Sequence, residues 1–210
     1  MPTTLPLETG SSTATASIIL LHGLGADGTD LLPLAQQLAH PDWRFILPDA
    51  PIQRISLYGG QAMPAWYDIH HPNLLLQQDT IGLNRARQQT NEWIAREILR
   101  GIPPQRMVLA GFSQGGALAI YSGFTLNLPL AGIAGLSTYV PEFQPAAMLP
   151  PLWLAHGNED NIIPPNSFRL SLSRLPQPAT FCQTYPMAHS ICQAETDALR
   201  AWLEQILTKS

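Results

Sequence analysis

The chain has 210 residues, 45% of them hydrophobic and only 12% charged, which suits one folded domain and excludes an intrinsically disordered chain. Eleven basic against fifteen acidic residues give a formal charge of −4 with Lys209 as the single lysine. The basic patch that would grip nucleic acid or an anionic membrane is therefore missing. The N-terminus up to Asp42 carries no Lys or Arg and no apolar run reaches about 18 residues, so neither a secretory signal nor stable membrane insertion is expected and the expected location is cytoplasmic.

Residues 1–16 are polar, small and aperiodic, and read as a loose lead-in to a single domain over residues 17–210. From there strand and helix signals alternate. Short apolar runs bounded by turn residues fall at 18–21, 45–47, 107–110, 133–136, 152–155 and 181–185, as expected of strands buried on both faces. Asp79 can cap a helix carrying Leu83, Ala86, Thr90, Ile94 and Ile98 at spacings of three or four, stopped by Gly101 and Pro103. A helical stretch is expected over 116–124, and Asn166 and Thr196 lie near two further helix starts. Twenty prolines, scattered rather than clustered, mark turns. The alternation predicts an α/β architecture, a mostly parallel central sheet with helices on both faces and its functional groups at the carboxyl ends of the strands.

Gly111-Phe112-Ser113-Gln114-Gly115 follows one predicted strand directly and precedes a helix, the context of a nucleophile elbow. A serine hydroxyl needs a base to take its proton and a third group to orient that base, so an acid and a histidine should follow. They do: the strand at 152–155 runs into His156-Gly157-Asn158-Glu159-Asp160, and the last strand into Pro186-Met187-Ala188-His189. Ser113, an acid and His189 stand in the chain order of the α/β-hydrolases. His22 and His156 come immediately after strands and read as structural or site-lining, while His40, His70 and His71 follow no strand. Between the adjacent Glu159 and Asp160 the residues alone do not choose. Acyl transfer also needs donors for a developing oxyanion. The amide of Gln114 is one, and the glycine-rich loop from His22 to Gly28 offers a second at Leu24. That loop weakly matches a dinucleotide-binding glycine pattern, but such a reading leaves Ser113 and His189 without a role.

Five segments in chain order then resemble one family, the carboxylesterase/acyl-protein thioesterase (phospholipase/carboxylesterase) family of small α/β-hydrolases. They are His22-Gly23-Leu24-Gly25, Met63-Pro64-Ala65-Trp66-Tyr67-Asp68-Ile69, Gly111 to Gly116, Gly157 with Asp160 and Pro164, and Met187-Ala188-His189-Ser190. Gly59-Gly60 looks like the bacterial branch, whose members often act on short and medium-chain esters. The resemblance implies a serine hydrolase of acyl esters or thioesters without metal or cofactor. It gives Ser113 as nucleophile, His189 as general base and acid, Asp160 as orienting carboxylate, and Leu24 and Gln114 as oxyanion donors.

The aromatic and leucine-rich stretch 57–76 is expected to cover the acyl site, with Met63, Trp66, Leu74, Leu75 and Leu76 lining an apolar groove. The other reading makes Trp66 and Tyr67 core residues that pin a surface loop. An exposed apolar flap can also pack against a second copy as a homodimer. Cys182 and Cys192 read as reduced thiols.

Overall fold

The computed structural model describes residues 5–207; residues 1–4 of the expected lead-in and Lys209 lie outside them. In chain order the elements are β1 (Leu7–Gly10), β2 (Ala16–Leu21), α1 (Leu32–Gln37), β3 (Trp43–Leu47), β4 (Ile52–Ile55), β5 (Gln61–Pro64) and α2 (Thr80–Leu99). Then come β6 (Met107–Phe112), α3 (Gln114–Thr125), β7 (Gly132–Leu136), β8 (Leu152–Gly157), α4 (Pro165–Ser171), β9 (Phe181–Tyr185) and α5 (Gln193–Ile206). Seven strands form one sheet in the order β1-β3-β2-β6-β7-β8-β9, parallel except for β1.

Alternate residues of the central strands feed two separate cores. Ile19, Leu21, Leu109, Ile133 and Leu154 pack with α2, α3 and Phe168 of α4 on one face. Ile18, Leu20, Val108, Ala134 and Trp153 pack with α1 and with Leu199, Trp202 and Leu203 of α5 on the other. Because both faces are covered, the strands read as unbroken apolar runs rather than alternating ones, which is why they stand out in the sequence. Asp79 caps α2 as expected, its side chain accepting the Gly82 amide.

The lead-in is corrected: Leu7–Gly10 is an edge strand, antiparallel to β3. Its apolar content is low because charge fastens it. Glu8 bonds Arg44 of β3 at 2.5 Å and pairs with Arg96 of α2 and with Arg100, the residue that caps its C-terminus, at 3.3 and 3.1 Å. Buried Glu97 continues the network to Arg44, Arg100 and the Ser17 hydroxyl. β4 and β5 form a separate hairpin ahead of α2, a feature with no apolar alternation to announce it.

Candidate active site

Ser113 occupies the single residue between β6 and α3 at φ 54°, ψ −118°, a conformation L residues rarely adopt and which presents its side chain at the carboxyl end of the sheet. The strained backbone is pinned on both sides, Ser113 N–H donating to Leu136 O at 2.9 Å and Thr138 Oγ1 donating to Ser113 O at 2.7 Å. The turn closes only with glycine behind it, because a Cβ on Gly115 would overlap the Leu21 carbonyl.

His189 lies on the loop between β9 and α5. Its Nε2 is 2.9 Å from Ser113 Oγ and its Nδ1 is 2.7 Å from Asp160 Oδ2. With Nδ1–H donating to the carboxylate, Nε2 is left to accept the serine proton. The other Asp160 oxygen accepts the amides of Ile162 and Ile163 at 2.9 and 2.8 Å. Asp160 is buried and Glu159 exposed, so of the two adjacent carboxylates Asp160 is the one turned inward. A Cβ at Gly157 would meet the carbonyls of Met187 and Ala188, so glycine there lets the ends of β8 and β9 approach closely enough to join acid and base.

His22 and His156 are both fully buried, and burial holds each imidazole below its ordinary value and hence neutral. His156 Nε2–H donates to Ile163 O at 2.8 Å and its ring stacks on Phe168, supporting the turn that carries Asp160. His22 Nδ1–H donates to Gly23 O at 2.7 Å while its Nε2 accepts the Ala50 amide at 2.9 Å, fixing the start of the loop that holds Leu24. A Cβ on Gly23 would stand 3.5 Å from Ser113 Cβ, so this loop lies against Ser113. Gln114 is the first residue of α3, where an N–H has no intrahelical acceptor. Leu24 and Gln114, whose amides are expected to receive an oxyanion, both border the same cavity as Ser113.

A cavity of about 820 Å³ opens over these groups. Of the residues expected to line it, Leu74 does, while Met63, Trp66, Leu75 and Leu76 do not. Trp66 is 2% exposed and belongs to the core beneath the site, with its ring edge on Trp93. The three leucines diverge because residues 71–76 form a tight turn around Asn73, whose Oδ1 accepts the Leu75 amide and whose carbonyl accepts the Leu76 amide. That turn leaves Leu76 half exposed, and Arg174 fastens the Leu75 carbonyl on its outer side. Met63 packs partly buried against the core. The apolar wall is instead built from Leu57, Tyr58, Ile69, Phe112, Ile162, Ile163 and Ile191, with the Tyr139 hydroxyl facing that of Tyr67 at 2.8 Å. Burial pushes Tyr139 up to about 12, so it stays a neutral phenol. Phe112, Ile162, Ile163 and Ile191 are sequence neighbours of Ser113, Asp160 and His189, and Leu57, Tyr58 and Ile69 fall in the stretch 57–76 expected to cover the site, but no local pattern signals which side chains of that stretch turn inward.

Among the described residues, no group of three or more His, Cys, Asp or Glu side chains is placed to hold a metal ion, and no helix is long and apolar enough to cross a membrane. Cys182 and Cys192 are free.

The fold and the site define an α/β-hydrolase of the serine type. The chain belongs to the phospholipase/carboxylesterase family, whose model matches residues 4–207. It is 35% identical to acyl-protein thioesterase 1 of Cryptococcus neoformans var. neoformans serotype D over 92% of this chain and 93% of that protein. It is 33% identical to acyl-protein thioesterase 1 of Emericella nidulans, over 92% and 91%. Among solved structures, Arabidopsis thaliana SOBER1 superposes with a TM-score of 0.80 at 26% identity, covering 92% of this chain and 99% of that one.

Proposed function

We propose that this serine hydrolase is a carboxylesterase acting on acyl esters of short to medium chain, with Ser113, His189 and Asp160 as its triad. The observation that carries the reading is the unbroken hydrogen-bonded line from Ser113 Oγ through His189 to Asp160 at the mouth of an apolar cavity. In the first step Ser113 Oγ bonds to the acyl carbon as its proton passes to His189 Nε2, and the carbonyl oxygen takes up negative charge facing the Leu24 and Gln114 amides. The imidazolium returns that proton to the departing alcohol or thiol, leaving an acyl-serine. Water then repeats the sequence, releasing the acid and free Ser113. Asp160 stays ionised throughout and stabilises the imidazolium.

Gly59-Gly60, both at positive φ in the turn between β4 and β5, carries the likeness to the bacterial branch, whereas the relatives named above are fungal and plant proteins. The fungal relatives carry the name acyl-protein thioesterase 1, which favours a thioesterase; the second reading, a thioesterase or lysophospholipase acting on long acyl chains, would use the same triad and differ only in what the cavity admits. Hydrolysis of p-nitrophenyl esters of increasing chain length, with Ser113→Ala in parallel, tests both. A Ser113-dependent optimum at butyrate to octanoate supports the first, and an optimum at palmitate the second. Activity equal to that of Ser113→Ala at every length would refute both. The same reading expects a small acyl ester or thioester as partner and no cofactor; a homodimer through the half-exposed flap around Leu76 and Tyr58 is part of it, and sedimentation tests that association.

A further inference from the structure

Trp66 does not line the cavity, yet two hydrogen bonds tie it to residues that do. Its indole Nε1–H donates to His22 O at 2.8 Å, and its backbone N–H donates to the Gln114 side-chain carbonyl at 3.0 Å. The Gln114 amide nitrogen in turn donates to Tyr67 O at 2.8 Å. Two residues earlier in the same segment, Pro64 O accepts the Gly25 N–H at 2.8 Å. The peptides carrying Gly23 and Leu24 are thus held at both ends, His22 O and Gly25 N, by one short stretch running from Pro64 to Trp66. That stretch is itself fastened by the side chain of Gln114, whose backbone amide faces the same oxyanion. The path from one donor to the other closes through Gln114, Trp66 and His22.

Resting on the triad reading above, we infer that Trp66 is a positioning residue for the oxyanion site: its indole N–H sets the orientation of the Gly23–Leu24 peptides relative to the Gln114 amide. The indole reaches His22 O from within the core, its ring 4.9 Å from the His22 ring and in a T-shaped contact with Trp93. The oxyanion forms only after substrate has bound, so an error in donor placement should appear in kcat and not in KM. Outright loss of one such donor costs about 10²–10³ in kcat, and displacing one through its support should cost about 10–100-fold.

The test is p-nitrophenyl butyrate kinetics on the wild type, on Trp66→Phe, and on a protein carrying 3-benzothienylalanine at position 66, which keeps the bicyclic shape and lacks only the donor. The expected result is a kcat lower by about 10–100-fold in the isosteric variant. KM should stay within about twofold and the melting temperature near that of the wild type, and the rate of fluorophosphonate labelling of Ser113 should fall in parallel with kcat. The midpoint of the pH–rate profile should not move, since His189 is untouched. A folded isosteric variant with wild-type kcat, or one whose loss lies in KM, overturns the inference while leaving the triad reading in place. A wild type that neither hydrolyses esters nor takes the label overturns that reading, and this inference with it.

Discussion

One oxygen of the Asp160 carboxylate lies 2.7 Å from His189 Nδ1 while the other accepts the Ile162 and Ile163 amides, so the acid is oriented by the turn that follows it before it orients the base. Asp160→Asn keeps the shape and an acceptor for the two amides but can turn an NH₂ toward Nδ1, which forces the imidazole into the tautomer that cannot take the serine proton. The expected outcome is a kcat lower by roughly 10³–10⁴ with a folded protein. Glu159→Gln, one residue away on the exposed side, should leave kcat unchanged. Steady-state kinetics on the pair separates orientation from local charge.

The ion network under β1 gives a stability prediction with no catalytic component. Glu97 is buried and pairs with Arg44 and Arg100 at 3.1 Å. Its replacement by alanine leaves the mostly buried Arg44 without one of its two carboxylates, which should cost about 3–5 kcal/mol. Glu8→Ala removes a more solvated partner and should cost about 1 kcal/mol. Urea unfolding of the two variants measures both, and kcat should not change in Glu8→Ala, whose contacts are all with Arg44, Arg96 and Arg100.

The contrast between β1 and the central strands explains how much of the fold the sequence reveals. β2, β3, β6, β7 and β8 lie between helices and are apolar almost throughout, so composition locates them. Leu7–Gly10 is held by Glu8 reaching residues 36 to 92 positions away, and no local pattern encodes such partners. The site divides in the same way. Ser113 follows β6 directly and His189 lies four residues past β9, and the sheet topology then brings the two together. The groove wall depends on which way each side chain of a loop turns, and at residues 74–76 the Asn73 turn, not hydrophobicity, decides it.

Leu74 and Leu76 therefore make a matched pair. Leu74 lines the cavity and Leu76 stands on the outer surface, half exposed. Leu74→Trp should fill part of the acyl groove and lower kcat/KM progressively more for octanoate and longer esters than for acetate. Leu76→Trp should leave the chain-length profile unaltered. Profiles of the two variants that coincide would place the acyl chain elsewhere.

Glu195 carries the last prediction. It sits in the first turn of α5, fully buried, with no side chain hydrogen-bonded to its carboxylate, just beyond the loop that holds His189. Burial pushes its carboxyl up to about 8, only partly offset by the Cys192 amide. Between the unfolded value and about 8 the folded protein keeps this proton and the unfolded chain has lost it. Stability should therefore fall as pH rises through that window, with a slope of at most ~1.4 kcal/mol per pH unit, and level off once Glu195 ionises in both states. Glu195→Gln stays neutral at every pH. Subtracting its unfolding free energy from that of the wild type also cancels the opposite contribution of buried, neutral His22 and His156, which destabilise the fold as acid protonates the unfolded chain. The difference should be near zero at pH 4 and turn progressively against the wild type from about pH 5 to pH 8. A difference that does not vary with pH would mean that Glu195 is ionised in the folded protein, with a partner among the groups that surround it.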